Sequence, residues 1–330
     1  MSKLRLGFYP YTYARLAVMK GDLIKQTQWD NLLKMGINEL LRYLQDSGYK
    51  TEIDALGMDK RNLASLENAL NTNLMRIFTK LKRISDEKVQ KVLEVYLSRY
   101  DMENIKSIVR GKLTQTSGDE IKEMLLPSIN HDEEYFLELM KIDDLGKLFK
   151  KLELDIKGKE LFEIENSIDK KYYDDLFNFA KNIKGQGKPF KEFIEAELHI
   201  LNIKMLLRLK KEEFSKEEIG KYLINPDKRI ENLIEIEKIQ DIVKELQKLG
   251  FVSKTIKIED TALLTQVEID LDINLLKKEV ALMHKFPLTV NVILGFMFAK
   301  EIEVKNLKIL LKGKSLHLEE DYLQSLLGVA

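Results

Sequence analysis

Lys106 and Arg110 stand four residues apart, as do Lys204 and Arg208, and Lys308 and Lys312. Four residues is little more than one helical turn, so each pair shares one side of a helix. Paired cations can hold an anionic partner, or they can meet a glutamate on a neighbouring helix. Each pair follows an asparagine, at Asn104, Asn202 and Asn306. On a helix, each asparagine lies at the rim of an apolar stripe such as Ile105, Ile108 and Val109. A basic knuckle ends each box: Arg110-Gly111-Lys112, Arg208-Leu209-Lys210 and Lys312-Gly313-Lys314. A decayed copy opens the chain between Tyr13 and Gly21, with Arg15 and Lys20 as its cations. These asparagines and cations are the candidate interface residues. Because they recur, they suit the structure of a repeated unit better than a unique active site.

Other chemistry finds little support. The four histidines, His131, His199, His284 and His317, form no His-x-x-x-His pair, and no metal site is expected. In His131-Asp132-Glu133-Glu134, Asn130 is expected as a helix cap with acids in the first turn. Gly185-Gln186-Gly187-Lys188 lacks the rest of a phosphate loop, and Pro189 stands where its hydroxyl belongs. With no cysteines, thiolate zinc sites, iron–sulfur clusters, disulfides and cysteine nucleophiles are excluded. No cofactor and no catalytic residue are expected. Lys+Arg and Asp+Glu are both 54, so no basic excess points to nucleic acid. Met1 to Gly7 lacks the apolar core of a signal peptide, and the apolar stretch Phe286–Ala299 is too short to span a bilayer.

The positioning elements follow from a second marker. Leu66-Glu67 to Asn71, Ile164-Glu165 to Asp169 and Val267-Glu268 to Asp272 repeat an acidic box. From its Glu to the Asn of the basic box is 37, 37 and 38 residues. Two markers with one period near 100 residues define a triplicated unit. The constant spacing fits an α-hairpin of two helices of about 15 residues. From basic box to the next acidic box it varies, 61 then 66, as loops allow. Ser117 and Ser215 open capping boxes after the first two knuckles. Ile230, Leu233, Ile234, Ile242, Val243, Leu246 and Leu249 predict a helix stopped by Gly250. Val267–Ile273 alternates like a strand, but its counterpart from Leu63 to Leu81 reads as helix, and helix is expected. Leu152–Ile156 stays open between strand and helix. Tyr172, Tyr173 and Trp29 are expected in the core or at its rim, and Gly185–Pro189 as a loop. The fold class is all-α, with three similar helical domains at 1–102, 103–204 and 205–330.

The knuckles also carry a resemblance over essentially the whole chain. Tyr11-Thr12-Tyr13-Ala14-Arg15-Leu16 with Met19-Lys20-Gly21, Asn104 to Lys112, Asn202 to Arg208, and Ala299 to Lys308 resemble the C subunit of archaeal and bacterial V-type (A-type) ATP synthases. They are similar, too, to the d subunit of V-type ATPases. Leu209 departs from the knuckle glycine, Lys312 from its arginine, and Asn225-Pro226-Asp227 from a Pro-Gly-Gly turn. The resemblance implies three helical domains about a pseudo-threefold axis, shaped as a funnel. It implies a non-catalytic, monomeric central-stalk component, peripheral at the cytoplasmic face of the membrane. Its partners would be the D and F shaft subunits and the membrane rotor ring (c/K subunits), coupling ATP chemistry to proton or sodium transport. The competing expectation is an α-solenoid scaffold for proteins, although its repeats are usually shorter.

Overall fold

The computed structural model describes residues 4–56, 62–156, 160–185, 188–257, 263–282 and 287–327. His284, Phe286, Gln186 and Gly187 lie outside them. The described chain is mostly helical. Its frame is three hairpins of long helices: α5 (Leu63–Arg83) with α6 (Glu87–Leu113), α10 (Leu161–Lys181) with α11 (Lys188–Lys211), and α15 (Leu263–Leu282) with α16 (Val290–Ser315). Each helix has 20 to 27 residues and so runs beyond both markers, not the 15 expected. Asn62 caps α5 by accepting from Ser65 N, and Asp86 caps α6 by accepting from Lys88 N.

Short helices fill the intervals. α7 (Gly118–Met124), α8 (Glu133–Met140) and α9 (Leu145–Lys151) lie between α6 and α10, while α12 (Lys216–Tyr222), α13 (Lys228–Glu235) and α14 (Ile239–Lys248) lie between α11 and α15. At the chain ends stand α1 (Pro10–Lys20), α2 (Gln26–Lys34), α3 (Ile37–Gln45), α4 (Lys50–Ala55) and α17 (Glu320–Leu326). Ser117 and Ser215 make the expected capping boxes. A two-residue parallel bridge joins β1 (Arg5–Leu6) to β2 (Lys184–Gly185). Gly185 has φ +72°, and a Cβ there would meet Leu6 O at 2.4 Å, so the pairing requires glycine.

The long helices touch in a closed order. α5 contacts α6, α6 contacts α10, α10 contacts α11, α11 contacts α15, α15 contacts α16, and α16 contacts α5. One core lies around α7–α9 (Ile105 to Ile168), a second around α12–α14 (Ile200 to Leu271). The third joins residues 6–97 to 290–323 and the middle of the second hairpin. α16 is buried almost all round through Leu311, which suits its apolar first turns.

Several expectations change. The divisions expected at 102/103 and 204/205 fall inside α6 and α11, and residues near both termini share one core. A domain boundary needs an exposed linker with few crossing contacts, and neither place offers one. The single helix expected over 230–249 is two, α13 and α14, although Gly250 does take a positive φ after the second. Val267–Ile273 lies in α15. Residues 152–156 are neither strand nor helix: Glu153 is left-handed (φ 53°) and Leu154 N bonds back to Phe149 O at 2.9 Å, ending α9. Of the loop expected at Gly185–Pro189, Gly185 pairs with Leu6, Lys188 and Pro189 belong to α11, and residues 186 and 187 lie outside the described ones. Asp132, not Asn130, caps α8. Asn130 instead donates to Glu94 O and to Asp101. Trp29 and Tyr172 are buried as expected.

Candidate functional site

The basic boxes lie on the second helix of each hairpin and meet the next acidic box in the cycle. Lys106 reaches Asp169 at 2.9 Å and Glu103 at 2.6 Å, and Arg110 pairs with Glu165. One seam further, Lys204 reaches Asp272 at 2.5 Å, and Arg208 takes both oxygens of Glu268 at 2.7 and 2.8 Å. At the seam between α16 and α5, Lys308 donates to Asn71 Oδ1 at 2.5 Å. Asn71 and Glu67 belong to the first acidic box, so the last basic box docks on it. Burial opposes the charge of Lys106, but Asp169 and Glu103 outweigh it and hold its pKa above the usual lysine value. Burial pushes Lys308 below that value, and Glu67 offsets only part.

The asparagines are locks on the backbone. Asn104 donates to Leu126 O at 2.8 Å and accepts from Leu126 N at 2.7 Å; Asn202 does the same with Ile224 O and N, at 2.7 and 2.9 Å. Both partners directly follow the short helix after the knuckle. Asn306 is equally buried. The knuckles end alike: Thr116 N bonds Gly111 O, Phe214 N bonds Leu209 O, and Leu318 N bonds Gly313 O. Gln115, Glu213 and His317 take the left-handed residue of this turn. A Cβ at Gly111 would stand 2.4 Å from Ile121, and one at Gly313 2.1 Å from Leu323. The last knuckle lysines each donate to a carbonyl near the end of a short helix: Lys112 to Met140 O, Lys210 to Ile234 O and Lys314 to Leu33 O. Leu33 lies in α2, so the third knuckle is completed by the N-terminal helices. The decayed copy in α1 differs: Gly21 is right-handed (φ −64°), Lys20 is half-buried and Arg15 is exposed.

Five residues before the asparagines stand Arg99, Glu197 and Glu301, which differ in type and so form no visible motif. Arg99 Nη2 takes Glu197 at 2.7 and 3.0 Å and lies 3.3 Å from Tyr172 Oη; Tyr173 donates to the same carboxylate. Tyr100 donates to Glu301 at 2.9 Å, and burial pushes Glu301 up to about 6 against the pull of Arg99. Clefts of about 300 and 270 Å³ meet at Tyr100, Leu126 and Glu301. Their shared offset from the asparagine was the signal that could have found them.

A separate buried network ties α16 to the N-terminal helices. Lys300 donates to Glu303 at 2.6 Å and to Tyr49 Oη at 2.9 Å, Tyr49 donates to Glu303 at 2.6 Å, and Ile24 N donates to Glu303 Oε2 at 2.6 Å. Glu52 continues it into α5 through Asn73 and Arg76. None of this arrangement orients a nucleophile with a base; it positions helices. Among the described residues no helix is long and apolar enough to cross a membrane.

The family model described as ATP synthase (C/AC39) subunit matches residues 12–326. The A-type ATP synthase C subunit of Methanosarcina acetivorans is 32% identical over 335 residues, covering 97% of this chain and 93% of that protein. That of Methanococcoides burtonii is 30% identical over 338 residues (97% and 94%), and that of Archaeoglobus fulgidus 29% over 320 residues (93% and 92%). With its repeated boxes, its helical frame and this match over nearly its full length, the chain belongs to the ATP synthase (C/AC39) subunit family.

Proposed function

We propose that this chain is a non-catalytic central-stalk component of a rotary A-type (V-type) ATP synthase. It would act as a socket that couples the rotating shaft, made of the D and F subunits, to the membrane rotor ring and hence to proton or sodium transport. The chain is then a peripheral protein at the cytoplasmic face, monomeric when isolated. In this reading three units surround a pseudo-threefold axis as a funnel. Each runs from a basic box to the next acidic box, and the third is assembled from both chain ends, α16–α17 with α2–α5.

One observation carries the reading. The basic box of each hairpin meets the acidic box of the next, and the last meets the first. A linear solenoid would leave its first and last boxes unpaired. The polar groups gathered from α6, α11 and α16 give the centre of such a ring a surface suited to a charged helical end. Lys106, Arg110, Lys204 and Arg208 already have carboxylates, so they serve the seams. Arg15, Lys308 and Lys312, which form no ion pair among the described residues, are the better partner-facing cations.

The test is co-elution of the purified chain with a D–F shaft subcomplex on a sizing column, at low and at physiological salt. A stable one-to-one complex is expected. No complex at either salt, together with an elongated particle in small-angle scattering, would overturn the socket in favour of a scaffold.

A further inference from the structure

The three seams are internal controls for one another. At two of them a lysine of the basic box, buried Lys106 or half-buried Lys204, faces an aspartate, Asp169 or Asp272. At the third the aspartate is replaced by Asn71, and the arginine of the second rung by Lys312. Lys308 keeps its place and bonds the neutral amide oxygen. Glu67, whose counterparts hold Arg110 and Arg208, forms no ion pair with Lys312 among the described residues. A cleft of about 300 Å³ opens at this seam, lined by Asn71, Lys305, Lys308 and Lys312 beside Glu67 and Glu301.

The cations in this cleft, Lys305, Lys308 and Lys312, outnumber its acids, Glu67 and Glu301. An ammonium has three hydrogens and Lys308 uses one on Asn71. The Asn71 amide has two more with no acceptor among the described residues. Lys305 lies 3.9 Å from Asp272, a loose pair, and Lys312 is exposed. Of the two acids, Glu301 already accepts from Tyr100. An ammonium half withdrawn from water with no carboxylate in contact is costly, and an oxyanion is what the other two seams supply from within the chain.

We propose that the α5–α16 seam binds an oxyanion, a carboxylate or phosphate group, held by Lys308 and the Asn71 amide with Lys305 and Lys312 at the mouth. The group can come from free solute or from an acidic side chain of the inserted shaft; only the second source rests on the socket reading.

The experiment compares wild type, Asn71→Asp and Lys308→Gln in two arms. In the first, melting temperature is followed as sodium phosphate replaces sodium chloride at constant ionic strength and pH 7. Phosphate is expected to raise the wild-type midpoint saturably, on the order of 3 °C. Asn71→Asp, which supplies the anion internally, and Lys308→Gln, which removes its partner, should each weaken that response at least tenfold. In the second arm, affinity for the D–F subcomplex is measured in chloride alone. If phosphate leaves wild type unmoved but both substitutions weaken shaft binding tenfold or more, the oxyanion is a shaft carboxylate. Equal phosphate responses in all three proteins overturn the site, as does indifference in both arms. A wild type that binds phosphate but no shaft keeps the site and, if its particle is also elongated, loses the socket. One that binds the shaft equally in all three sequences and ignores phosphate does the reverse.

Discussion

Two seams of this molecule are laced by ion pairs between helix surfaces, whereas the third is held by a buried network. Between α6 and α10, and between α11 and α15, a Lys–Asp and an Arg–Glu rung repeat. Between α16 and α5 these rungs weaken to Lys308–Asn71, and Lys300 and Glu303 of α16 instead bond Tyr49 and Ile24 of the N-terminal segment. The difference follows from chain connectivity. α6 and α10, like α11 and α15, are tethered by the short helices between them, so a loosened surface pair is quickly remade. α16 and α5 lie at opposite ends of the chain, and only non-covalent contacts hold them together. The seam without a tether is the one where both members of an ion pair, Lys300 and Glu303, are buried.

The comparison can be broken most directly at Glu303. Glu303→Ala leaves Lys300 buried and uncompensated, since the two side chains are only 2% and 6% exposed. A loss of about 3–5 kcal/mol is expected in urea unfolding, and Lys300→Met with Glu303→Leu together should recover much of it. A loss below 1 kcal/mol would show that the third seam is held some other way.

The knuckle glycines give the next effect. Gly111→Ala drives a Cβ into Ile121, and an overpacking cost of about 1–3 kcal/mol is expected by the same measurement. Gly220→Ala in α12 has nothing within 4 Å and should stabilise by about 0.5–1 kcal/mol. Equal effects at both sites would deny the close helix approach.

Glu301 adds a pH dependence. Its folded pKa of about 6 lies above the ordinary 4.5, so the folded chain favours the protonated acid. The resulting stability is fully present below pH 4.5 and is lost as pH rises through 6, by about 2 kcal/mol at pH 8. Glu301→Gln should therefore outlast wild type at pH 8 by up to that amount and match it at pH 4.5, read as the difference between two melting curves. A constant difference at all pH values would remove the titration from the account.

The smallest effect belongs to the exposed rungs. Arg110→Ala and Arg208→Ala are each expected to cost less than about 1 kcal/mol, because the two side chains are 47% and 64% exposed. A larger loss would place the ladders on a par with the buried network.

Much of the frame was legible in the residues. The two boxes and their 37-residue spacing marked the hairpins, and Ser117, Ser215 and Gly250 marked helix ends, because capping and periodicity act over a few residues. The repeat also settled Val267–Ile273 as helix against its alternating pattern. The register of Arg99, Glu197 and Glu301 was present but masked by their unlike side chains.

By itself, then, the sequence determined the helical class and the positions of the basic and acidic boxes, both consequences of local pattern. Only the tertiary structure decided that each basic box meets the following acidic box, that the last returns to the first, and that both chain ends share a core. Those pairings join residues from about 60 to 240 positions apart. No local propensity encodes them; they depend on which apolar faces bury one another once the helices exist.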